Sequence, residues 1–492
     1  MTGRHRLPCS EHVGMERAEA EAIYDQGREA VVAALLALSA QVAALEARLA
    51  KQEERIAELE RQLNRNSQNS SLPPSQDPPG APPRKRAPSA GRRRGAQHGH
   101  KGHGRHLQPL EVVDEIIDHW PERCRCGHRF TETERRPLGG PARHQVVELP
   151  SIAVILTEHR LHRLRCPACR TITRAKLPAD VPAVAFGPRL SAAIATLAVR
   201  NRVSRRDTVE LAGELFGAHL AAGSVDAILQ RAAEALTEPY EELLQRTRAS
   251  PAVNVDETGW RTRGGKRTLW GALTGHTALF RIAADRHERE AKALLGERFA
   301  GIACSDRWWA YNYLETERRQ LCWAHLVRDF TAHAEGLGAQ RQFGEAGLKI
   351  AKRLFGAWND YRDDGDRERL AECIAALKEE LSTLLKEATR KSPRNRYHRG
   401  LAKNLLKYWP ALWTFASVPG IEPTNNHAER GLRGAVIYRK LSLGSQSEGG
   451  ERAIERLLSA SITCRLQRRS LFAYLSEVLA ASIRGDPVPS LA

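Results

Sequence analysis

The sequence has few cysteines, no long hydrophobic run and no secretion signal, and each absence excludes a class of protein. Nine cysteines in 492 residues are too sparse for a disulfide scaffold. A membrane span needs about 18 consecutive apolar residues; the most apolar stretch, residues 183–199, is interrupted by Pro188 and Arg189. The N-terminus lacks the charged start, apolar run and small-residue cleavage site of a signal peptide. We therefore expect a cytoplasmic protein with reduced thiols and no membrane contact.

Negative charge is also in deficit. The chain carries 76 Lys and Arg against 58 Asp and Glu, which gives a net charge of +18. Such an excess favours a polyanionic partner, and nucleic acid is the usual one, although many basic proteins never bind DNA. At roughly 150 residues per domain, the length predicts about three domains.

The N-terminal region, residues 1–63, predicts a helical oligomerisation segment. Apolar residues follow a heptad, interrupted only by Gln52, and the flanking pairs Arg48 with Glu53 and Arg55 with Glu60 have opposite charge. This pattern is typical of a parallel coiled coil, so we expect a homo-oligomer; the alternative is a long amphipathic helix packed on its own domain. The seam positions are Val31, Leu35, Leu38, Val42, Leu45, Leu49, Ile56, Leu59 and Leu63.

Residues 64–109 predict a disordered basic linker. The first part is rich in Asn, Ser, Gln and Pro and cannot bury enough surface to fold. The second part is polybasic and glycine-rich, and a flexible arm of this kind can neutralise DNA phosphates without reading sequence; the alternative is a solvated linker. The predicted phosphate contacts are Arg84, Lys85, Arg86, Arg92, Arg93 and Arg94.

Four cysteines form two close pairs within residues 110–182, a region that we interpret as a zinc ribbon. The second pair has the C-x2-C spacing that lets two thiolates reach one Zn²⁺. The first pair is one residue short, so His119 or His128 is an alternative ligand. Two strands, predicted over residues 143–149 and 153–161, would bring the pairs together; the alternative is a metal-free remnant. The candidate zinc ligands are Cys124, Cys126, Cys166 and Cys169.

Residues 183–250 predict a helical DNA-binding domain. One helix is expected over residues 188–199, and a second over 204–216 with Ser204 as its N-cap. After the loop 217–223, a third helix is expected with Ser224 as its cap. This order resembles a helix-turn-helix, although three-helix units are common in other roles. Arg205 and Arg206 are the predicted DNA contacts.

Residues 251–335 switch to strands, and two acids occupy informative places. A strand over residues 252–256 ends in Asp256, and a hairpin follows over residues 268–274 and 277–283. A helix over 289–299 leads to a strand over 301–304, and Asp306 comes just after it. A further strand is expected over 320–324. This is the order of a ribonuclease-H-like core, in which the two acid-bearing strands are neighbours, so Asp256 and Asp306 should converge.

A third acid, Glu429, would complete a site for two Mg²⁺ (or Mn²⁺) ions. Phosphodiester chemistry on two such ions needs a few carboxylates. Thr424 or Asn425 can cap the helix that presents Glu429. Residues 336–418 predict a helical insertion, and residues 419–492 the second part of the core, whose predicted DNA contacts are Arg430, Arg433, Arg439 and Lys440. The competing acids are Glu257, expected on the opposite face of its strand, Asp285, Asp329 and Glu422.

These residues resemble the insertion-sequence-66 family of bacterial DDE transposases. The resemblance includes the N-terminal coil, the Asn/Ser/Pro stretch at 63–75, the Gly/His/Lys segment at 95–102 and the cysteine region. Four motifs together are specific: Val-Asp-Glu-Thr-Gly at 255–259, Ser-Asp-Arg-Trp-Trp-Ala-Tyr at 305–311, Cys-Trp-Ala-His-Leu-Val-Arg-Asp-Phe at 322–330 and Asn-Asn-His-Ala-Glu-Arg at 425–430. The sequence departs from the family at the shortened first cysteine pair, at Arg307-Trp308 and at Thr424.

The resemblance implies that Asp256, Asp306 and Glu429 are the catalytic acids of a nucleoid-associated transposase. Such an enzyme would bind the terminal inverted repeats of its own element, free 3′-OH ends and join them to target DNA, with or without accessory proteins encoded by the element. The expected fold is therefore multidomain α+β and α/β, with a coiled coil, a zinc ribbon, a helix-turn-helix and a ribonuclease-H-like core. The alternatives are a nuclease that joins nothing, an inactive DNA-binding derivative and a coiled-coil scaffold.

Overall fold

The computed structural model describes residues 17–63 and 107–491, and the chain divides into two units, residues 1–85 and 86–492. The first unit contains helices α1 (Arg17–Asp25) and α2 (Arg28–Leu63). Helix α2 confirms that the heptad region is one continuous helix. The predicted phosphate contacts Arg84, Lys85, Arg86, Arg92, Arg93 and Arg94 lie outside the described residues.

The part of α2 between Arg28 and Leu49 is long and apolar enough to cross a membrane, by length and composition alone. The expectation that residues 183–199 form the most apolar stretch is therefore wrong. Seam side chains of α2 are exposed within the single chain, and these are Leu35, Leu38, Val42, Leu45, Leu49 and Ile56.

Residues 107–182 contain less sheet than the sequence predicted. A short antiparallel hairpin forms between β1 (Arg163–Arg165) and β2 (Ile172–Arg174). The strands expected over residues 143–149 and 153–161 are absent from this described segment, which corrects the prediction. Val147, Ile155 and Leu156 are exposed, so the segment lacks the packed face that stabilises strands in a sheet.

Four helices precede the main sheet: α3 (Pro188–Ala195), extended by a π-helical turn over Thr196–Arg200, α4 (Arg205–Phe216), α5 (Ala222–Ala235) and α6 (Thr237–Arg248). Ser204 caps α4 as predicted, since its hydroxyl accepts a hydrogen bond from the backbone N–H of Asp207 at 3.1 Å. Ser224 does not cap α5. Its backbone N–H donates to the carbonyl of Ala221, so Ser224 already lies in the first turn.

The central sheet has five strands in the order β5-β4-β3-β6-β7. These are β3 (Ala252–Thr262), β4 (Gly265–Leu273), β5 (Ala278–Ala283), β6 (Ile302–Ser305) and β7 (Arg319–Leu321), and α7 (Glu288–Leu295) precedes β6. β3, β4 and β5 form an antiparallel meander, whereas β6 runs parallel to β3 and β7 parallel to β6. The predicted hairpin and the predicted neighbouring of β3 and β6 are both confirmed. The strand expected over 320–324 ends at Leu321, because a helix begins at Trp323.

The remainder of the chain is helical. Two long helices lie over residues 338–389, within the segment predicted to be a helical insertion. The helices pack into two clusters of buried side chains, one beneath the sheet and one around these long helices. Their bounds are α8 (Trp323–Ala334), α9 (Gly338–Asp364), α10 (Arg367–Thr389), α11 (Arg399–Lys407), α12 (Thr414–Ser417), α13 (Asn426–Ser442), α14 (Glu448–Leu466) and α15 (Leu471–Arg484).

Candidate active site

Two of the three predicted catalytic acids come together through strand pairing. Asn254 of β3 is in register with Cys304 of β6 in the parallel ladder. Asp256 and Asp306 each lie two residues beyond this pair, in the same direction. The pairing of β3 with β6 therefore places the two carboxylates side by side, as the sequence predicted.

The third acid, Glu429, lies in the first turn of α13, and Asn425 anchors the start of that helix. The Asn425 side-chain N–H donates to the carbonyl of Val255 at 2.7 Å, and its backbone N–H donates to Cys322 Sγ at 3.1 Å. Asn425 occupies the N-cap position, as one of the two predicted alternatives, but its side chain makes no capping hydrogen bond. Through its amide N–H, Asn425 instead ties the helix of Glu429 to the strand that carries Asp256.

Repulsion among the acids is visible at Asp256. Burial and, in decreasing order, the negative charges of Glu257, Asp306 and Glu429 together raise the pKa of Asp256 to about 8. The three predicted acids are thus close enough to interact. A cation would relieve this repulsion and favour the ionised form of Asp256.

Glu429 has an unsatisfied oxygen that is consistent with a cation ligand. Its Oε1 is buried and has no hydrogen-bond partner. The nearest basic side chains are those of His325 and Arg328 in α8, whose Nδ1 and Nη2 atoms lie 4.0 and 3.9 Å away. Carboxylate oxygens are the ligands that Mg²⁺ prefers, so the donor set fits this ion. Within residues 17–63 and 107–491, no three His, Cys, Asp or Glu side chains are already gathered around one point, so binding would have to draw the carboxylates together.

The competing acids are less suited to hold a cation. Both oxygens of Glu257 are occupied, by the Tyr311 hydroxyl at 2.8 Å and by the Arg286 guanidinium. Asp285 is paired with Arg289, and Asp329 with Arg307 at 2.5 Å. Glu422 is exposed. The choice of Asp256, Asp306 and Glu429 stays a prediction, and the unpaired Glu429 Oε1 supports it.

Some of the predicted DNA contacts in the described residues are exposed to solvent, and others already have partners within the protein. Arg430, Arg433 and Lys440 are exposed and lie three or four residues from their neighbours along α13, so they share one face with Ile437; we call these three residues the α13 basic stripe. Arg206 is exposed as well. Arg205 and Arg439 have partners within the protein: Arg205 Nε lies 2.7 Å from Asp226 Oδ1, and Arg439 donates to the carbonyl of Gly259.

The two cysteine pairs each occupy a tight turn. The Cys124 N–H donates to the carbonyl of His128 at 2.9 Å, and the Cys166 N–H to the carbonyl of Thr171 at 2.9 Å. Hydrogen bonds from Thr171 lower the pKa of Cys169 to about 7, and hydrogen bonds from Cys126 lower that of Cys124. A lowered thiol pKa favours the thiolate that zinc requires.

The structure does not gather the two cysteine pairs into one site. Among the described residues, no three His, Cys, Asp or Glu side chains lie close enough together to hold one metal ion. The strands at 143–149 and 153–161 that were expected to join the pairs do not form. His128 is engaged with Glu134, its Nε2 lying 3.3 Å from Oε2.

Sequence reasoning missed several residues around the acids. Cys322, Arg286 and Tyr311 were not singled out, although Cys322 and Tyr311 lie within two of the four specific motifs. Their contacts join segments far apart in sequence, and a single sequence carries no signal for such contacts. The proximity of His325 and Arg328 to Glu429 was not predicted either.

Comparison with known proteins finds similarity over most of the chain. The family model described as Transposase IS66 family matches residues 183–453, which is more than half of the chain. A second model, a family of unknown function (DUF6444), matches residues 10–106. The chain is also 25% identical to the uncharacterized protein y4jD of Sinorhizobium fredii (strain NBRC 101917 / NGR234) over 434 residues, which cover 80% of this chain and 81% of that protein.

Proposed function

The chain belongs to the IS66 family of transposases, and from this premise we propose that it cuts and joins DNA at the ends of its own mobile element. Family membership implies a function in DNA transposition, with DNA as partner. The finer proposal is that the protein binds the terminal inverted repeats, frees 3′-OH ends and transfers them to target DNA. We place this activity in the cytoplasm, at the nucleoid.

One observation carries the proposal: the pairing of β3 with β6 brings Asp256 beside Asp306, and Asn425 ties the helix of Glu429 to β3. Burial and the nearby negative charges, which include those of Asp306 and Glu429, raise the pKa of Asp256 to about 8. The strand order and directions, an antiparallel meander followed by two parallel strands, support a ribonuclease-H-like core. Residues 251–335 and 419–492 would form this core, with the helical insertion 336–418 between them.

Asp256, Asp306 and Glu429 would hold Mg²⁺ or Mn²⁺. When bound, such ions activate the attacking oxygen and neutralise charge on the leaving oxygen at a phosphodiester. Asn425 fixes Glu429 relative to Asp256, and the α13 basic stripe is exposed on the same helix to receive phosphates. Arg328 is the cation nearest to Glu429 and is half-exposed, so it can meet a phosphate brought beside that carboxylate.

The proposed chemistry is two successive displacements at phosphorus. In the first, water attacks a phosphodiester at the element end, one P–O bond forms and one breaks, and a 3′-OH is released. In the second, that hydroxyl attacks target DNA, again with one P–O bond formed and one broken. The number of P–O bonds is conserved in the second step, so joining needs no external energy source and no covalent link to the protein.

DNA recognition is assigned to the rest of the chain. We propose that the polybasic arm within residues 64–109, the cysteine region 110–182 and the helices of 183–250 bind the element ends. The basic arm and Arg206 would contact phosphates, which position a protein without specifying sequence. Zinc bound by the two cysteine pairs, self-association through α2 and accessory proteins of the element are further parts of this proposal.

The decisive experiment compares the wild type with Asp256→Asn on labelled DNA ends. The ends are taken from inverted repeats that bound the gene, and a plasmid serves as target in the presence of Mg²⁺. We expect the variant to lose cleavage and joining while it retains end binding, because the amide is a poorer cation ligand. Asp285→Asn is the matched control, since Asp285 pairs with Arg289 outside the site.

Three results would change the conclusion. Full joining by Asp256→Asn would show that the acid is assigned wrongly. Cleavage without joined product in the wild type would indicate a nuclease. End binding without metal-dependent cleavage would indicate an inactive DNA-binding derivative.

A further inference from the structure

Glu257 is a buried carboxylate that the proposed chemistry does not use. It directly follows Asp256 on β3, and its side chain is 1% exposed. Its Oε2 accepts the Tyr311 hydroxyl at 2.8 Å, and its Oε1 accepts hydrogen bonds from Arg286 Nε at 3.1 Å and from Arg286 Nη2. Both oxygens are therefore occupied, in contrast to the unpaired Oε1 of Glu429.

The partners of Glu257 come from two segments of the chain, one that follows β5 and one that follows Asp306. Tyr311 is fully buried and lies five residues after Asp306. The Arg286 guanidinium stacks on the Trp308 ring at 4.2 Å, and Trp308 Nε1 donates to the carbonyl of Arg286 at 2.9 Å. We call Glu257, Arg286, Trp308 and Tyr311 the Glu257 bracket.

The Glu257 bracket also makes a hydrogen bond to Asp306. The Trp308 backbone N–H donates to Asp306 Oδ1 at 2.8 Å, so the segment held by Glu257 also orients the second acid. Tyr311 packs edge-on against Trp270, the residue of β4 that is in register with Glu257. The segment that follows Asp306 is thus fixed to the strand that carries Asp256.

We propose that Glu257 is a positioning residue, which holds the segment after Asp306 against β3 and keeps Asp306 beside Asp256 without binding the cation. This inference rests on the proposed function, since it assumes that the two aspartates share a cation site. Buried partners of metal ligands commonly act in this way, and their loss weakens metal affinity roughly 10–100-fold.

The test measures Mn²⁺ binding to the full-length protein by electron paramagnetic resonance, together with the thermal unfolding midpoint without metal. The variants are Glu257→Gln, Tyr311→Phe and the double variant. Tyr313→Phe is the matched control, because its hydroxyl bonds to the carbonyl of Ala291 outside the bracket. Asp256→Asn is the ligand control. Should Glu257→Gln not fold, Tyr311→Phe is combined with Arg286→Gln, since Arg286 is partly exposed.

We expect Glu257→Gln and Tyr311→Phe to weaken Mn²⁺ affinity by about tenfold or more while the number of bound ions at saturation is unchanged. The double variant should bind Mn²⁺ no more weakly than the worse of the two single variants, because both substitutions act on the same hydrogen-bonded bracket. Asp256→Asn should lose a bound ion, and Tyr313→Phe should match the wild type.

Two results would overturn the inference. Loss of an ion in Glu257→Gln, with normal binding in Tyr311→Phe, would make Glu257 a ligand; fully additive effects would show that the two residues act independently. If the wild type itself binds no Mn²⁺, the proposed function fails, and this inference fails with it.

Discussion

Asp256 couples cation binding to protons. Its pKa is raised to about 8 in the metal-free protein, so most molecules carry a proton there at pH 7, whereas a bound cation requires the carboxylate. Raising the pH through 8 removes the competing proton. Affinity for Mn²⁺ should therefore increase from pH 6.5 to pH 8.5, and binding at pH 7 should release up to about one proton per site.

Calorimetry in two buffers with different ionisation enthalpies measures both quantities. Asp285→Asn should preserve the pH dependence, because Asp285 pairs with Arg289 away from the three acids. An affinity that stays constant across this pH range would contradict the proton linkage at Asp256.

Glu455 makes a second pH-dependent contribution, this time to stability. This side chain of α14 accepts the Ile282 backbone N–H at 2.6 Å, and burial raises the pKa of Glu455 from 4.5 to about 7. The native state therefore binds a proton more tightly than the unfolded state, so stability falls as pH rises from about 4.5 to 7 and does not recover above it. Glu455→Gln keeps an acceptor oxygen and removes the charge.

The Glu455→Gln variant should nearly match the wild type at pH 4.5 and exceed its free energy of unfolding at pH 8 by about 3 kcal/mol. Urea denaturation at the two pH values measures this difference. Glu448→Gln, at an exposed position in the first turn of the same helix, should show no such pH-dependent gain. If the wild type became more stable than Glu455→Gln as the pH rises, ionised Glu455 would be stabilising, which would contradict this prediction.

At the scale of elements, the crossing of α8 and α9 depends on glycine. A Cβ at Gly344 would lie 2.1 Å from the Ala334 backbone nitrogen, so α9 approaches α8 at a distance that only glycine permits. Gly344→Ala should cost about 1–3 kcal/mol through overpacking. It should also lower DNA cleavage, because α8 carries His325 and Arg328 beside Glu429.

Gly356→Ala on the same helix is the matched control. No atom lies within 4 Å of a Cβ built at Gly356, so alanine should stabilise α9 by about 0.5–1 kcal/mol. Thermal unfolding of the two variants separates a close helix crossing from a general intolerance of alanine in α9. Equal stability of the two variants would contradict the close approach at Gly344.

Elements with a local signal could be predicted from the sequence. The heptad of α2 has its own period, and Ser204 caps α4 through a residue three positions away. The order of strands and helix predicted that β3 and β6 are neighbours in the sheet. This pairing brings Asp256 and Asp306 together. Each of these depends on nearby residues or on connectivity.

Elements that depend on distant partners could not be predicted. Residues 143–161 have strand-like composition but no packed face, so apolar content alone misplaced two strands. The amide N–H of Asn425 bonds to the carbonyl of Val255, 170 residues earlier, and the side chain makes no capping hydrogen bond. Helix propensity indicates that Asn425 can begin a helix, but it does not indicate where the amide points.

At the scale of the whole molecule, the seam of α2 is the feature that most directly predicts an assembly. Leu38 and Leu45 are 51% and 62% exposed in the single chain, and both occupy d positions of the heptad. In a parallel coiled coil these side chains pack against their own copies, which removes apolar surface from water. We therefore expect the protein to self-associate through α2.

The variant Leu38→Lys with Leu45→Lys should dissociate this assembly, because each lysine would face the same charge on the partner helix. Ala40→Lys with Ala47→Lys adds the same charge at f positions on the outer face and should leave the mass unchanged. Sedimentation equilibrium of the full-length proteins distinguishes the two. A monomeric wild type would show that the coiled-coil prediction is wrong, and an unchanged mass in the seam variant would place the interface elsewhere. If joining of two DNA ends requires two chains in one complex, the seam variant should also lose joined product while each monomer still binds DNA.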